Sequence, residues 1–224
     1  MNVSNLPDSL QSIRIDILTC QCCGAFREAT KPVPFYGNCK SPIMFIARNP
    51  GEHEDRSGQP LFPKDRKLGE QINAGIVFRK ILWHLHLTRE DVYITNTMKC
   101  WTTVPKTNRA PTEQECKICS NNYLFKEIDI VDPQLIVTMG KEAFAIVYGT
   151  SFLGCHITQW AGRLITDHKY PIFPLLHPAS IIHDPKYGIE YKKHVEELKN
   201  IWFNNIEFIR NRSWRKQVCD NNIV

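Results

Sequence analysis

Cys20 and Cys23 form a C-x2-C pair within the stretch CQCC, and Cys100 and Cys116 bracket a basic, proline-bearing loop, CWTTVPKTNRAPTEQEC. Thiolates two residues apart can both reach one metal centre, and four together complete an iron–sulfur cluster or a zinc site. A competing set joins Cys20 and Cys23 to a second C-x2-C pair, Cys116 and Cys119, in a zinc-like arrangement, and Cys22 offers a third choice at the first knuckle. Spacing alone leaves iron and zinc open. The first residues lack the basic and apolar regions of a signal peptide, so the chain reads as cytoplasmic. In that setting nine cysteines argue for ligation rather than disulfides.

Chemistry of a second kind follows four short apolar runs. PIMFIA (42–47) leads into Arg48-Asn49-Pro50-Gly51, and DVYITN (91–96) ends on Asn96. QLIVTMG (134–140) leads into Lys141, and PIFPLL (171–176) delivers His177-Pro-Ala-Ser180. Between the runs lie helical patterns: about 73–86, from an N-cap at Thr112 with Glu115 at capping-box spacing to about 130, KEAFAIVY closed by Gly149, and roughly 189–210. Strands alternating with helices predict a parallel sheet, and in open parallel sheets ligands bind beyond the carboxyl ends of the strands.

A chain of 224 residues suits one compact domain over 1–224, with its last helix and basic tail at about 189–224. The formal charge of +5 fits a nucleic-acid partner without establishing one. No run approaches the roughly eighteen apolar residues of a membrane span.

The blocks CQCC, NPGEHEDRSGQPL, VYITNTMKCW, NRAPTEQEC, LIVTMGKEAF, WAGR and LLHPAS stand in the order found in the uracil-DNA glycosylase superfamily. Over roughly Cys20 to His183 the chain most resembles the iron–sulfur-containing family 4 type. The resemblance implies a three-layer α/β/α fold around a mostly parallel four-stranded sheet, and a monomer that flips a pyrimidine nucleotide out of DNA and hydrolyses its N-glycosidic bond. It also implies a structural 4Fe-4S cluster on Cys20, Cys23, Cys100 and Cys116, with Cys119 a bystander. Asn49 corresponds to the residue that positions the attacking water in the branches with an Asn-Pro-Gly motif. His177 corresponds to the histidine that bonds the departing pyrimidine O2, and Asn96 to the residue reading the flipped base's edge. Ser180, Ile181 and Ile182 fall in the loop that enters the duplex, and Lys106 and Arg109 face phosphates. A neutral amide is a weak base, but cleavage through an oxocarbenium-like sugar depends mainly on oriented water and a stabilised leaving group.

Three departures bear on the substrate. Family 4 proteins begin motif one with Gly-Glu-x-Pro-Gly; Arg48 replaces that acid and becomes a base-pocket residue. Leu61 aligns with the family's stacking aromatic, with Phe62 next to it as a substitute ring. The segment FPKDRKLGEQIN, carrying Arg66 and Lys67, is longer than the family's connection. Together these suggest uracil or a 5-substituted, phage-type pyrimidine as the base, in repair or in defence against phage. A non-catalytic iron–sulfur DNA-binding protein is the competing class. The segment RNRSWRK (210–216) is a further phosphate-binding expectation.

Overall fold

The computed structural model describes residues 6–64, 72–104 and 107–204. Helix α1 (Asp8–Leu18) precedes a two-residue strand β1 (Tyr36–Gly37), then β2 (Ile43–Ala47), α2 (Glu52–Ser57), α3 (Ala74–His84) and β3 (Tyr93–Asn96). A small hairpin, β4 (Thr103–Val104) and β5 (Thr107–Asn108), leads to α4 (Glu113–Cys119) and α5 (Phe125–Val131). There follow β6 (Leu135–Met139), α6 (Lys141–Tyr148), α7 (Ile157–Trp160), β7 (Ile172–Leu175), α8 (Pro178–His183) and α9 (Gly188–Asn204).

The main sheet has five strands in the order β1-β3-β2-β6-β7, not four. β2, β3, β6 and β7 are parallel, and β1 adds an antiparallel edge by pairing Tyr36 with Ile94. Two residues are too few to carry a periodic pattern, so this edge is silent in the sequence. The four parallel strands are buried throughout. That is why they read as continuous apolar runs: helices cover both faces. Leu10, Ile13 and Ile17 of α1, Ile128 of α5 and Phe144 of α6 pack on one face against Met44, Ile46 and Ile136. Phe78, Ile81 and Leu82 of α3 with Leu198 and Ile201 of α9 cover the other, against Phe45, Ile94 and Val137. This is the three-layer α/β/α arrangement.

Helix ends follow local chemistry. Asn73 caps α3 by accepting the Ile76 N–H at 2.9 Å. Thr112 and Glu115 close a reciprocal capping box at 3.2 and 2.8 Å. Gly149 ends α6 in the left-handed region, at φ 83°. The helix expected from Thr112 to about residue 130 is instead broken by a π-helical stretch, Ser120–Leu124. Such a bulge re-aims a helix face; here the Ser120 hydroxyl meets the Thr97 carbonyl at 3.1 Å, just beyond β3.

Candidate active site and thiol centre

Parallel pairing aligns the carboxyl ends of β3, β2, β6 and β7. Ala47 lies opposite Asn96, and Met139 opposite Leu175, so Arg48-Asn49, Asn96, Gly140 and His177 emerge along one edge. Backbone bonds fasten the two central turns together. Thr97 N–H donates to the Ala47 carbonyl at 2.9 Å, Met98 N–H to the Arg48 carbonyl at 3.0 Å, and the Thr97 hydroxyl also donates to the Arg48 carbonyl.

Asn96 is 2% exposed, and neither its Oδ1 nor its Nδ2 has a hydrogen-bond partner among the described residues. Leaving a buried amide unpaired costs about 1–3 kcal/mol per group. Such atoms in a native structure call for an explanation, and a ligand or an ordered water at the strand ends would supply one.

Asn49 is the opposite case. Its Nδ2 donates to the Pro50 carbonyl at 2.9 Å and to the Thr102 hydroxyl at 3.2 Å, and Oδ1 accepts Arg48 Nε–H at 2.8 Å. The Thr102 hydroxyl in turn donates to the Arg109 carbonyl at 2.7 Å. Both amide protons are committed, which fixes the amide's orientation and leaves Oδ1 one further lone pair. Arg48 itself is steered by Glu142 at the start of α6, 3.8 Å from Nη1.

The turn after Asn49 is closed by a buried carboxyl. Glu54 accepts Gly51 N–H and Leu61 N–H, each at 2.6 Å. Burial pushes the Glu54 carboxyl up to about 7, against the pull of those two N–H groups and of Arg89. Arg89 donates to the Leu61 and Pro60 carbonyls at 2.6 and 2.8 Å. These bonds hold Leu61 at φ 49°, a conformation a side-chain-bearing residue adopts only when its surroundings impose it.

His177 caps α8, its Nδ1 accepting the Ala179 N–H at 3.1 Å. In the neutral ring Nε2 therefore carries the proton and is the donor. The ring lies over Gly140, at φ 98°, where an added Cβ would stand 3.2 Å from His177 Cβ. Glycine is required there on both counts.

On the α1 face, Cys20 and Cys23 pack against the cluster containing buried Cys100, Cys116 and Cys119. Burial raises the Cys100 thiol far above its usual range, and Cys119, Cys23 and Cys20 are its strongest charge neighbours. Burial pushes Cys119 up to about 12; Lys99 opposes the shift, and Cys20 and Cys23 add to it. Cys116 is also pushed up to about 12 by burial, but its partners are Thr97, Glu142, Glu115 and Arg48, with no cysteine among them. Cys20 and Cys23 therefore lie beside all three buried thiols, and either Cys116 or Cys119 can complete a set of four with Cys100. Among the described residues no group of three or more Cys, His, Asp or Glu is placed to hold a single metal ion. An all-sulfur set of this kind suits an iron–sulfur cluster, whose ligands are thiolates.

The model of the uracil DNA glycosylase superfamily matches residues 34–202. A type-4 uracil-DNA glycosylase of Sulfurisphaera tokodaii is 31% identical over 94% of this chain and 96% of its own length. Those of Archaeoglobus fulgidus and Saccharolobus solfataricus are 30% and 34% identical, over 85% and 80% of this chain and 92% and 79% of theirs. The chain belongs to the uracil DNA glycosylase superfamily. Its similarity is to the type-4 branch, the iron–sulfur-containing one.

Within this superfamily framework the remaining expected residues divide. Leu61 is buried in the core beside α3, and Phe62 is half-buried with its carbonyl pressed on Gly75, where a Cβ would lie 2.3 Å away. Ser180, Ile181 and Ile182 are half-buried in α8, and the two isoleucines line a groove of about 700 Å³ against α3 and α9. Arg109, expected at phosphates, is paired with two carboxylates. Nε and Nη2 reach Glu28 at 3.0 and 2.7 Å, Nη1 and Nη2 reach Glu115 at 2.9 and 2.7 Å, and Nη1 also reaches the Ala110 carbonyl at 3.3 Å. Its donor fork is used up in closing the cysteine loop. Lys106, Arg66, Lys67 and the basic segment 210–216 lie outside the described residues. No helix among the described residues is long and apolar enough to cross a membrane. Thr102, Glu54 and Glu142 were missed as site residues; the one signal was Glu54 at the third position of a helix beginning after Gly51.

Proposed function

We propose that this chain is a DNA glycosylase that hydrolyses the N-glycosidic bond of a flipped pyrimidine nucleotide, with uracil as the primary base. The observation that carries the proposal is the buried, unpartnered Asn96 amide at the strand ends. A primary amide presents an acceptor beside a donor pair, which complements uracil N3–H and O4. Pairing with the base edge repays part of the unstacking that flipping requires.

The chemistry divides between the two flanking turns. Asn49 Oδ1, locked by Arg48, Pro50 and Thr102, accepts a hydrogen bond from the attacking water and aims its oxygen at C1′, the water's proton passing to solvent once the C–O bond has formed. His177 donates from Nε2 to the base as negative charge develops on it, which is electrostatic stabilisation without proton transfer. Arg48, held near Glu142, brings a positive charge to the same edge and replaces the family's acid without taking a base role. Leu61 is committed to the core and no stacking ring replaces it at that position, which favours a 5-substituted pyrimidine as a second substrate.

Cys20, Cys23, Cys100 and Cys116 are the proposed ligands of a 4Fe-4S cluster, with Cys119 the rival fourth thiol. A cluster bound there contributes cross-linking of the loop to the first knuckle; the hydrolytic residues lie outside this set.

The test is single-turnover abasic-site formation on uracil-containing DNA. Asn49→Ala and His177→Ala should each slow it by about 10²–10³-fold, the loss typical of one preorganised donor or orienting group. DNA affinity should hold, because phosphate contacts dominate it. Wild-type rates in both variants would remove the mechanism and favour a binding protein. Excision of a 5-substituted pyrimidine alone would replace uracil as the substrate.

A further inference from the structure

Asn96 is held from behind by charges buried deep in the fold. Lys99, three residues on, is 1% exposed, and Glu127 of α5 is 0% exposed. The Lys99 ammonium donates to the Thr95 hydroxyl at 2.6 Å and to the Asn96 carbonyl at 2.9 Å. It lies 2.8 Å from Glu127 Oε1, in an ion pair rather than an aligned hydrogen bond. The other end of Lys99 is fixed too, its N–H donating to Cys119 Sγ at 3.3 Å.

Stability is a poor reason to keep such a pair. Apolar residues of similar volume often fold as well or better than a buried ion pair. What they cannot do is donate to the Asn96 carbonyl. That carbonyl sits where β3 ends, and its peptide plane sets the direction in which the Asn96 side chain leaves the strand. With the carbonyl tied to Lys99, and Lys99 tied to Glu127 and Cys119, the unpartnered amide is kept facing the strand-end edge.

We propose that Lys99 and Glu127 are positioning residues for base recognition, aiming the Asn96 amide by fixing its backbone carbonyl. The inference rests on the glycosylase reading. Its test uses the double variant Lys99→Met/Glu127→Leu, which removes both charges and leaves the carbonyl without its donor. Two measurements are made: the thermal midpoint, and equilibrium binding to oligonucleotides carrying uncleavable 2′-fluoro-deoxyuridine or 2′-fluoro-deoxycytidine. A positioning role predicts a midpoint at or above wild type with the uridine-over-cytidine preference reduced about tenfold, the size of a lost coupling between contacting groups. A preference at wild-type level would overturn it whatever the midpoint, and a fallen midpoint with that preference would make the pair only structural. If the double variant does not fold, Glu127→Gln takes its place. Freed of its counter-charge, Lys99 should loosen its hold and the preference should fall about threefold; an unchanged preference overturns the proposal. Wild-type protein that binds both oligonucleotides alike would instead sink the glycosylase reading itself.

Discussion

The cysteine loop and the strand-end edge treat buried polar groups in opposite ways. Among the loop's described residues Arg109 is forked between Glu28 and Glu115, and Glu28 also accepts Thr103 N–H at 2.8 Å. At the edge Asn96 is left without a partner among the described residues, although it is nearly as buried as any side chain in the core. The first region uses its complementarity internally and gains rigidity. The second leaves the complementarity of the Asn96 amide unused within the described residues. Hydrogen bonds join them, from Asn49 Nδ2 to the Thr102 hydroxyl and from the Lys99 N–H to the Cys119 sulfur.

The sharpest break between the regions should come from the thiols. Cys116→Ala should give colourless, poorly soluble protein, because metal-binding free energy is folding free energy in such sites. Cys119→Ala should stay brown and soluble, as a thiol outside the ligand set. Iron content and visible absorbance of the two purified variants decide the matter. A bleached Cys119→Ala beside a coloured Cys116→Ala would make Cys119 the fourth ligand.

The next contrast sets rate against stability. Asn96→Ala should cut single-turnover excision by about 10³-fold or more, because a site built to pair with a base edge loses selectivity and rate when the pairing group goes. Its thermal midpoint should hardly fall, since an unsatisfied buried group goes with the side chain. Arg109→Met should do the reverse. It strands two carboxylates and should cost about 2 kcal/mol in chemical denaturation, with the excision rate per folded, cluster-bearing molecule retained. If Asn96→Ala instead unfolds the protein and Arg109→Met leaves stability intact, the contrast between the regions is wrong.

These differences mark what could be read in the chain itself. The four parallel strands were legible because burial on both faces makes each a short apolar run. The strand-end residues were legible because they stand directly after those runs. The choice between Cys116 and Cys119 was not legible because C-x15-C and C-x18-C spacings are equally permissive for a loop, and both thiols are buried on α4. Arg109 looked like a phosphate ligand because a basic residue in a loop carries no sign of its partners. Glu28 lies 81 positions away, and only the folded chain brings the two together. Lys99 and Glu127 were invisible as a pair for the same reason: charged residues are rarely fully buried, and sequence pattern assigns them to the surface.

The smallest expected effect concerns pH, where a carboxyl from each region should pull stability in opposite directions. Glu115 is drawn down to about 2, chiefly by its hydrogen bonds with Arg109, from an ordinary value near 4.5. Its contribution is fully present above pH 4.5 and is lost as pH falls towards 2. Glu54, raised to about 7 by burial, binds a proton more tightly folded than unfolded. Its contribution is therefore present below about pH 4.5 and declines as pH rises through 7. Glu115→Gln should flatten the acid limb of the stability profile and leave the neutral region alone. Glu54→Gln should keep the acid limb and remove the decline between about pH 4.5 and 7. Each difference should be modest, because the groups facing these carboxyls relax as they titrate. Denaturation midpoints measured from pH 3 to 8 on wild type and both variants give the answer. A Glu54→Gln profile that declines as steeply as wild type across pH 4.5–7 would show that its carboxyl is already ionised in the folded protein, stabilised by the Gly51 and Leu61 N–H groups strongly enough to outweigh its burial.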